Sequence, residues 1–149
     1  MPKLQLSLPL ALLVMSIVAA CAVVLRAAPD EKDKPTASKQ RFFEMRTYIS
    51  PAEKLDALNA RFRNHTNKLF VKHGMELIGY WTPTDGPAAE NTLVYILAYP
   101  SREARDKSWK AFQDDPEWKR VRAETEKDGK IVDKVEALFL KPTDYSPIK

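Results

Sequence analysis

A single cysteine, Cys21, excludes an internal disulfide framework, and its place near the N-terminus leaves the rest of the chain without a thiol nucleophile or thiolate zinc site. Glycine is nearly as scarce. Gly74, Gly79, Gly86 and Gly129 are the only four and none adjoins another, so phosphate loops, dinucleotide fingerprints and nucleophile elbows are missing. The two histidines, His65 and His73, have no carboxylate at a metal-ligand spacing, which gives no reason to expect a metal. A surplus of one charge is lacking as well. The net charge of +4 comes from 24 basic and 20 acidic residues, and Lys3 and Arg26 belong to the N-terminal segment. The remainder interleaves both signs without a basic block, which speaks against a nucleic-acid partner.

What is present begins with an uncharged run from Leu6 to Leu25, preceded by Lys3 and followed by Arg26. That layout predicts a signal peptide or N-terminal membrane anchor over residues 1–28, and hence an exported, periplasmic or extracellular domain. Three fates stay open: cleavage after Ala27-Ala28, retention of residues 6–25 as an anchor, or lipidation at Cys21, since Val18-Ala19-Ala20-Cys21 resembles a lipoprotein box. Membrane contact is expected only through this leader. Residues 29–40 mix charge with proline and serine and carry no large apolar residue, the composition of a flexible linker. The folded domain is expected over 41–149.

Within it, period-two alternation predicts a strand from Arg41 to Ile49, stopped by Ser50-Pro51. Apolar residues at helical spacing (Leu55, Leu58, Phe62, Leu69, Phe70) predict one long helix from Glu53 to His73, ended at Gly74. Met75–Thr82 reads as a second strand and Asn91–Tyr99 as a buried central one. Ser101 can cap a helix running to about Phe112, and Asp115-Pro116 fits an N-cap with proline at the first helical position of another, to about Lys127. Ile131–Lys141 supplies the last strand. The order βαββαβ, counting the helix pair once, predicts an α+β, ferredoxin-like fold: a four-stranded antiparallel sheet with helices on one face.

Few side chains suggest chemistry. Three carboxylates crowd Ala111–Lys119, but capping accounts for Asp115 and the helix dipole for Glu117. Glu44 and Arg46 point the same way on their strand, and would pair around a polar ligand if that face looked into a cavity. His65, three residues after Phe62, falls near the apolar stripe of its helix, and Tyr80, Trp81 and Trp109 could line a pocket, a core or a dimer seam. His73 suits the last turn of its helix as a cation.

Several segments in this order and spacing resemble the NIPSNAP family: Phe43-Glu44-Met45-Arg46-Thr47-Tyr48, Lys72-His73-Gly74 through Gly79-Tyr80-Trp81, Leu93–Tyr99 followed by Ser101, and Asp114-Asp115-Pro116-Glu117-Trp118. The resemblance implies a dimeric α/β-barrel, in which a second copy covers the open sheet face. It implies no settled catalytic activity and no cofactor. Two segments depart from the family pattern: Pro51-Ala52-Glu53-Lys54 replaces a Pro-Gly-Lys, and the loop Pro83–Glu90 lacks a short glycine-centred link. The expectation is a non-catalytic homodimer that binds a small molecule or a protein partner. The alternative is a monooxygenase or haem-handling enzyme of the dimeric α/β-barrel kind, with His65 as axial ligand or base, or with the Glu44/Arg46 pair in its cavity.

Overall fold

A computed structural model describes residues 40–149; the expected leader, its Cys21 and almost all of the linker lie outside the described residues. Four strands, β1 (Phe42–Ile49), β2 (Glu76–Trp81), β3 (Thr92–Tyr99) and β4 (Lys134–Leu140), form one sheet in the order β2-β3-β1-β4. Every pairing is antiparallel. The helices are α1 (Leu55–Arg61), α2 (Asn67–Lys72), α3 (Arg102–Asp114) and α4 (Pro116–Thr125). This is the ferredoxin-like arrangement that the order of elements predicts. Among the described residues no helix is long and apolar enough to cross a membrane.

The helix expected from Glu53 to His73 is interrupted. A π-helical turn at Phe62–Thr66 separates α1 from α2, and Asn67 N–H bonds back to the Phe62 carbonyl. A π turn takes more residues per revolution than an α turn, so the residues after Phe62 lag in phase. Thr66 therefore arrives on the buried side, where its hydroxyl donates to the Arg61 carbonyl at 3.3 Å. His65 is turned out to solvent. Gly74 ends α2 with φ +76°, a left-handed conformation open to glycine, and Met75 N–H closes the turn onto the Phe70 carbonyl. Glu53, in the segment that departs from the family's Pro-Gly-Lys, also lies in the left-handed region at φ +61°.

Both expected caps form. The Ser101 hydroxyl accepts from Ala104 N–H at 3.2 Å to start α3. The Asp115 carboxylate accepts from Glu117 N–H at 2.8 Å to start α4, and its other oxygen meets Lys72 Nζ at 2.8 Å and His73 Nε2 at 2.7 Å. The bonds from Lys72 and His73, then the Glu117 N–H, hold the Asp115 carboxyl well below the usual carboxylate range. One capping residue thus ties the end of α2 to the start of α4.

The two sheet faces differ. Leu93, Tyr95, Leu97 and Tyr99 of β3 point toward the helices and pack with Leu58, Phe62, Phe70, Trp109 and Phe112 as the core. The opposite face, carrying Met45, Val94, Ile96, Trp81 and Leu138, is apolar at its centre and has no second layer there among the described residues, and Trp81 and Leu138 are 52% and 53% exposed on it. Residues 141–149 return over one end of this face, where Ile148 lines a hollow with Phe43, Ile78 and Ile96.

Candidate functional site

Glu44, expected on a half-buried strand face, is fully buried beneath α3. Its Oε1 accepts from Arg46 Nη1 at 2.8 Å and Arg105 Nη2 at 2.6 Å. Its Oε2 accepts from Arg105 Nε at 2.8 Å, Tyr99 OH at 3.1 Å and Trp109 Nε1 at 3.0 Å. A carboxylate offers about four lone-pair positions, so this one is saturated. Arg105 grips it through two parallel N–H bonds, the strongest geometry for a carboxylate and guanidinium. Burial by itself would raise the Glu44 carboxyl, but the hydrogen bonds from Arg105 and Arg46 outweigh it and hold the group ionised below its ordinary value of 4.5. The same surroundings act oppositely on Tyr99, whose phenol is pushed up by burial and by the Glu44 charge.

Arg46 forms the upper side of this cluster. Its guanidinium lies 4.2 Å from the centroid of the Trp109 ring, a cation–π contact, and its Nε is buried without a partner. Above it opens a cleft of about 720 Å³ between the sheet and helices α3 and α4. Tyr48, Trp109 and Trp118 give the cleft aromatic walls, and Val132 and Val135 add apolar surface from the β4 side. Arg61 reaches it from α1, anchored by Glu126 Oε1 at 2.7 Å, with the Arg61 Nε also buried and unpartnered.

The expected site residues therefore divide. Glu44, Arg46 and Trp109 come together. Tyr80 shares their sheet face but stands farther along it, stacked on Tyr95 at 5.5 Å with its hydroxyl buried and unpartnered. Trp81 points to the opposite face, as the period of two requires for a neighbour of Tyr80, and its ring lies across Gly79. His65 is exposed and lines none of the clefts described. The Glu44/Arg46 pair faces the helices and not the open side of the sheet. Arg105, Arg61, Lys119, Arg122 and Lys130 were not anticipated. Arg105 was legible in principle: it sits four residues before Trp109, one helical turn away, where a buried strand glutamate needs a cation. Among the described residues no group of His, Cys, Asp and Glu could hold a metal ion.

The NIPSNAP family pattern matches residues 43–147. The chain belongs to the NIPSNAP family. Solved structures agree: a NIPSNAP family protein of unknown function from Agrobacterium tumefaciens is 25% identical, with a TM-score of 0.65 over 75% of this chain and 96% of that one. An uncharacterized NIPSNAP-like domain protein from Burkholderia xenovorans has a TM-score of 0.64 at 20% identity, over 73% of this chain and 90% of its own. A monooxygenase from Streptomyces coelicolor, solved with nanaomycin D, shares the fold at a TM-score of 0.51 and 15% identity, covering 74% and 95% of the two chains. No curated protein matches the chain. In NIPSNAP terms, the match runs from the strand that carries Glu44 and Arg46 through to the tail that folds over the open sheet face.

Proposed function

We propose that this NIPSNAP domain is an exported homodimer that binds a small molecule in the cleft beside Arg46, without catalysis by Glu44. The observation that carries the reading is the cleft itself: about 720 Å³, the size of a small-molecule site, with aromatic walls and a few convergent polar groups. Glu44, the one fully buried carboxylate among the described residues, lies beneath Arg46 and is unsuited to proton transfer. Glu44 is inaccessible, saturated with donors and held ionised, whereas a general base needs a free lone pair and a pKa near the working pH. Dimerisation is supported by the bare apolar sheet face, since a sheet hydrophobic on one side is stable only against another layer. Export rests on the sequence Leu6–Leu25 alone.

The alternative, oxygenase or haem chemistry, gains nothing from this geometry. His65 faces solvent away from the cleft, and the Glu44 carboxylate is saturated by internal donors.

The three tryptophans allow a direct test of where a small molecule binds. Trp109 and Trp118 line the cleft and Trp81 lies on the other sheet face. In ¹⁵N-labelled protein, titration with 2-naphthoate is expected to shift the indole N–H signals of Trp109 and Trp118 saturably and leave that of Trp81 in place. A response confined to Trp81 would move the site to the open face and sink the reading.

A further inference from the structure

We propose that the cleft selects organic anions, specifically a carboxylate carried on a flat apolar body. The inference rests on the small-molecule reading above and adds the chemical class of the ligand. Five cationic side chains line the cleft, Arg46, Arg61, Lys119, Arg122 and Lys130, against two carboxylates, Glu126 and Asp133. Glu126 is already spent: its two oxygens take Arg61 at 2.7 Å and Arg122 at 3.2 Å. Lys119 and Lys130 have no ion-pair partner among the described residues. With Glu44 counted as the partner of Arg46, five cations stand against three carboxylates, so the cleft keeps a positive surplus, carried by Lys119 and Lys130.

Its arrangement matters as much as its sign. Exposed lysines on a protein surface are ordinarily solvated charge with no role. Here they stand at the mouth of a cleft whose inner wall holds two arginines of low exposure, with side chains 14% (Arg46) and 3% (Arg61) accessible. A low-dielectric cleft lined by one sign of charge focuses its field and concentrates the opposite ion. At the inner wall Arg46 gives Glu44 a single hydrogen bond, through Nη1, and Arg61 gives Glu126 a single one. Each planar guanidinium carries five N–H donors, so donors remain for a ligand oxygen, and the fork geometry suits a carboxylate.

The rest of the lining specifies the ligand's body. Tyr48 and Trp118 are only half-buried and Val135 is 40% exposed, so apolar surface, two aromatic rings included, is left open beside the cations. A small hydrophilic anion would leave that surface wet. A planar apolar body would cover it while its carboxylate reached Arg46 or Arg61.

The experiment is calorimetry on the purified protein with three probes: 2-naphthoate, its neutral counterpart 2-naphthamide, and inorganic phosphate. The expected result is that 2-naphthoate binds about tenfold or more tightly than 2-naphthamide, as charge-assisted hydrogen bonds require. Phosphate should bind more weakly than 2-naphthoate. The preference for 2-naphthoate should shrink at high salt and in the triple variant Lys119→Gln/Arg122→Gln/Lys130→Gln. Those three positions are exposed, so the variant is expected to fold, and circular dichroism checks that it does. Equal binding of 2-naphthoate and 2-naphthamide overturns the anion proposal and leaves the small-molecule reading standing. Phosphate binding as tightly as 2-naphthoate overturns the flat apolar body. Absence of binding by all three at millimolar concentration sinks both.

Discussion

Replacing Glu44 by Ala is expected to lower the unfolding free energy by about 3–5 kcal/mol, the cost of removing one partner from a buried ion pair. The size follows from what the substitution strands. Arg46 and Arg105 lose their shared carboxylate beneath α3, Tyr99 OH loses its oxygen acceptor in the core, and Trp109 N–H keeps only its bond to the Tyr99 hydroxyl. Domains of this size are stable by about 5–15 kcal/mol, so the loss takes a large share of the total. Urea denaturation of the two proteins side by side measures it. The pH dependence has a definite sign. Because the folded state holds the Glu44 carboxyl below its ordinary 4.5, its contribution is present above that value and is lost as the pH falls through the depressed folded value. Glu44→Gln should therefore flatten the acid limb of the stability curve.

The open face of the sheet gives the second large effect. Leu138, opposite Met45 in register and 53% exposed, stands on an apolar surface that a second copy of the chain would cover. Burying a leucine is worth about 1.5–3 kcal/mol, and in a two-fold interface every substitution counts twice. Leu138→Glu is thus expected to raise the dissociation constant of the dimer by roughly two to four powers of ten. Light scattering at tens of micromolar should read a dimer for the natural chain and a monomer for the variant. The variant's own fold should survive, because the side chain makes little use of its monomer surroundings. A monodisperse natural monomer at that concentration would remove the dimer from the proposal.

Most of the fold was written in periodicity. Strand alternation in Phe42–Tyr48, the stop at Gly74 and the caps at Ser101 and Asp115 are local signals, and each has a local physical cause that the structure repeats. The site was only partly legible, for three separate reasons. The alternation put Glu44 and Arg46 on one face, but which layer that face meets is decided by the packing of α3, far along the chain. His65 was placed by counting at 3.6 residues per turn, and the π turn at Phe62–Thr66 breaks the count in a way that sequence spacing does not announce. The cationic rim was unreadable because Arg61, Lys119, Arg122 and Lys130 come from α1, α4 and the segment beyond it, and converge only in three dimensions. Trp81 is different. Its separation from Tyr80 follows from the pleat of a strand and could have been read beforehand.

The stretch from Ala111 to Lys119 shows how a feature that looks chemical can be architectural. Asp115 is consumed by a helix N-terminus, a lysine and a histidine, and Trp118 turns inward against Phe112 at 4.4 Å, with one side open to the cleft. The fully buried carboxylate of Glu44 was the less conspicuous acid in the sequence and is the one that organises the centre of the described domain.

In the proposed reading Glu44 is a permanently ionised anchor beneath a binding cleft and takes no part in proton transfer. Carbon-13 NMR of the Glu44 side-chain carboxyl across a pH titration measures this at the atom concerned. The expected chemical shift is that of a carboxylate at every pH above 4.5, the ordinary value, with any titration falling below it. A midpoint near neutral pH would mark a carboxyl tuned for acid–base work and would contradict that reading.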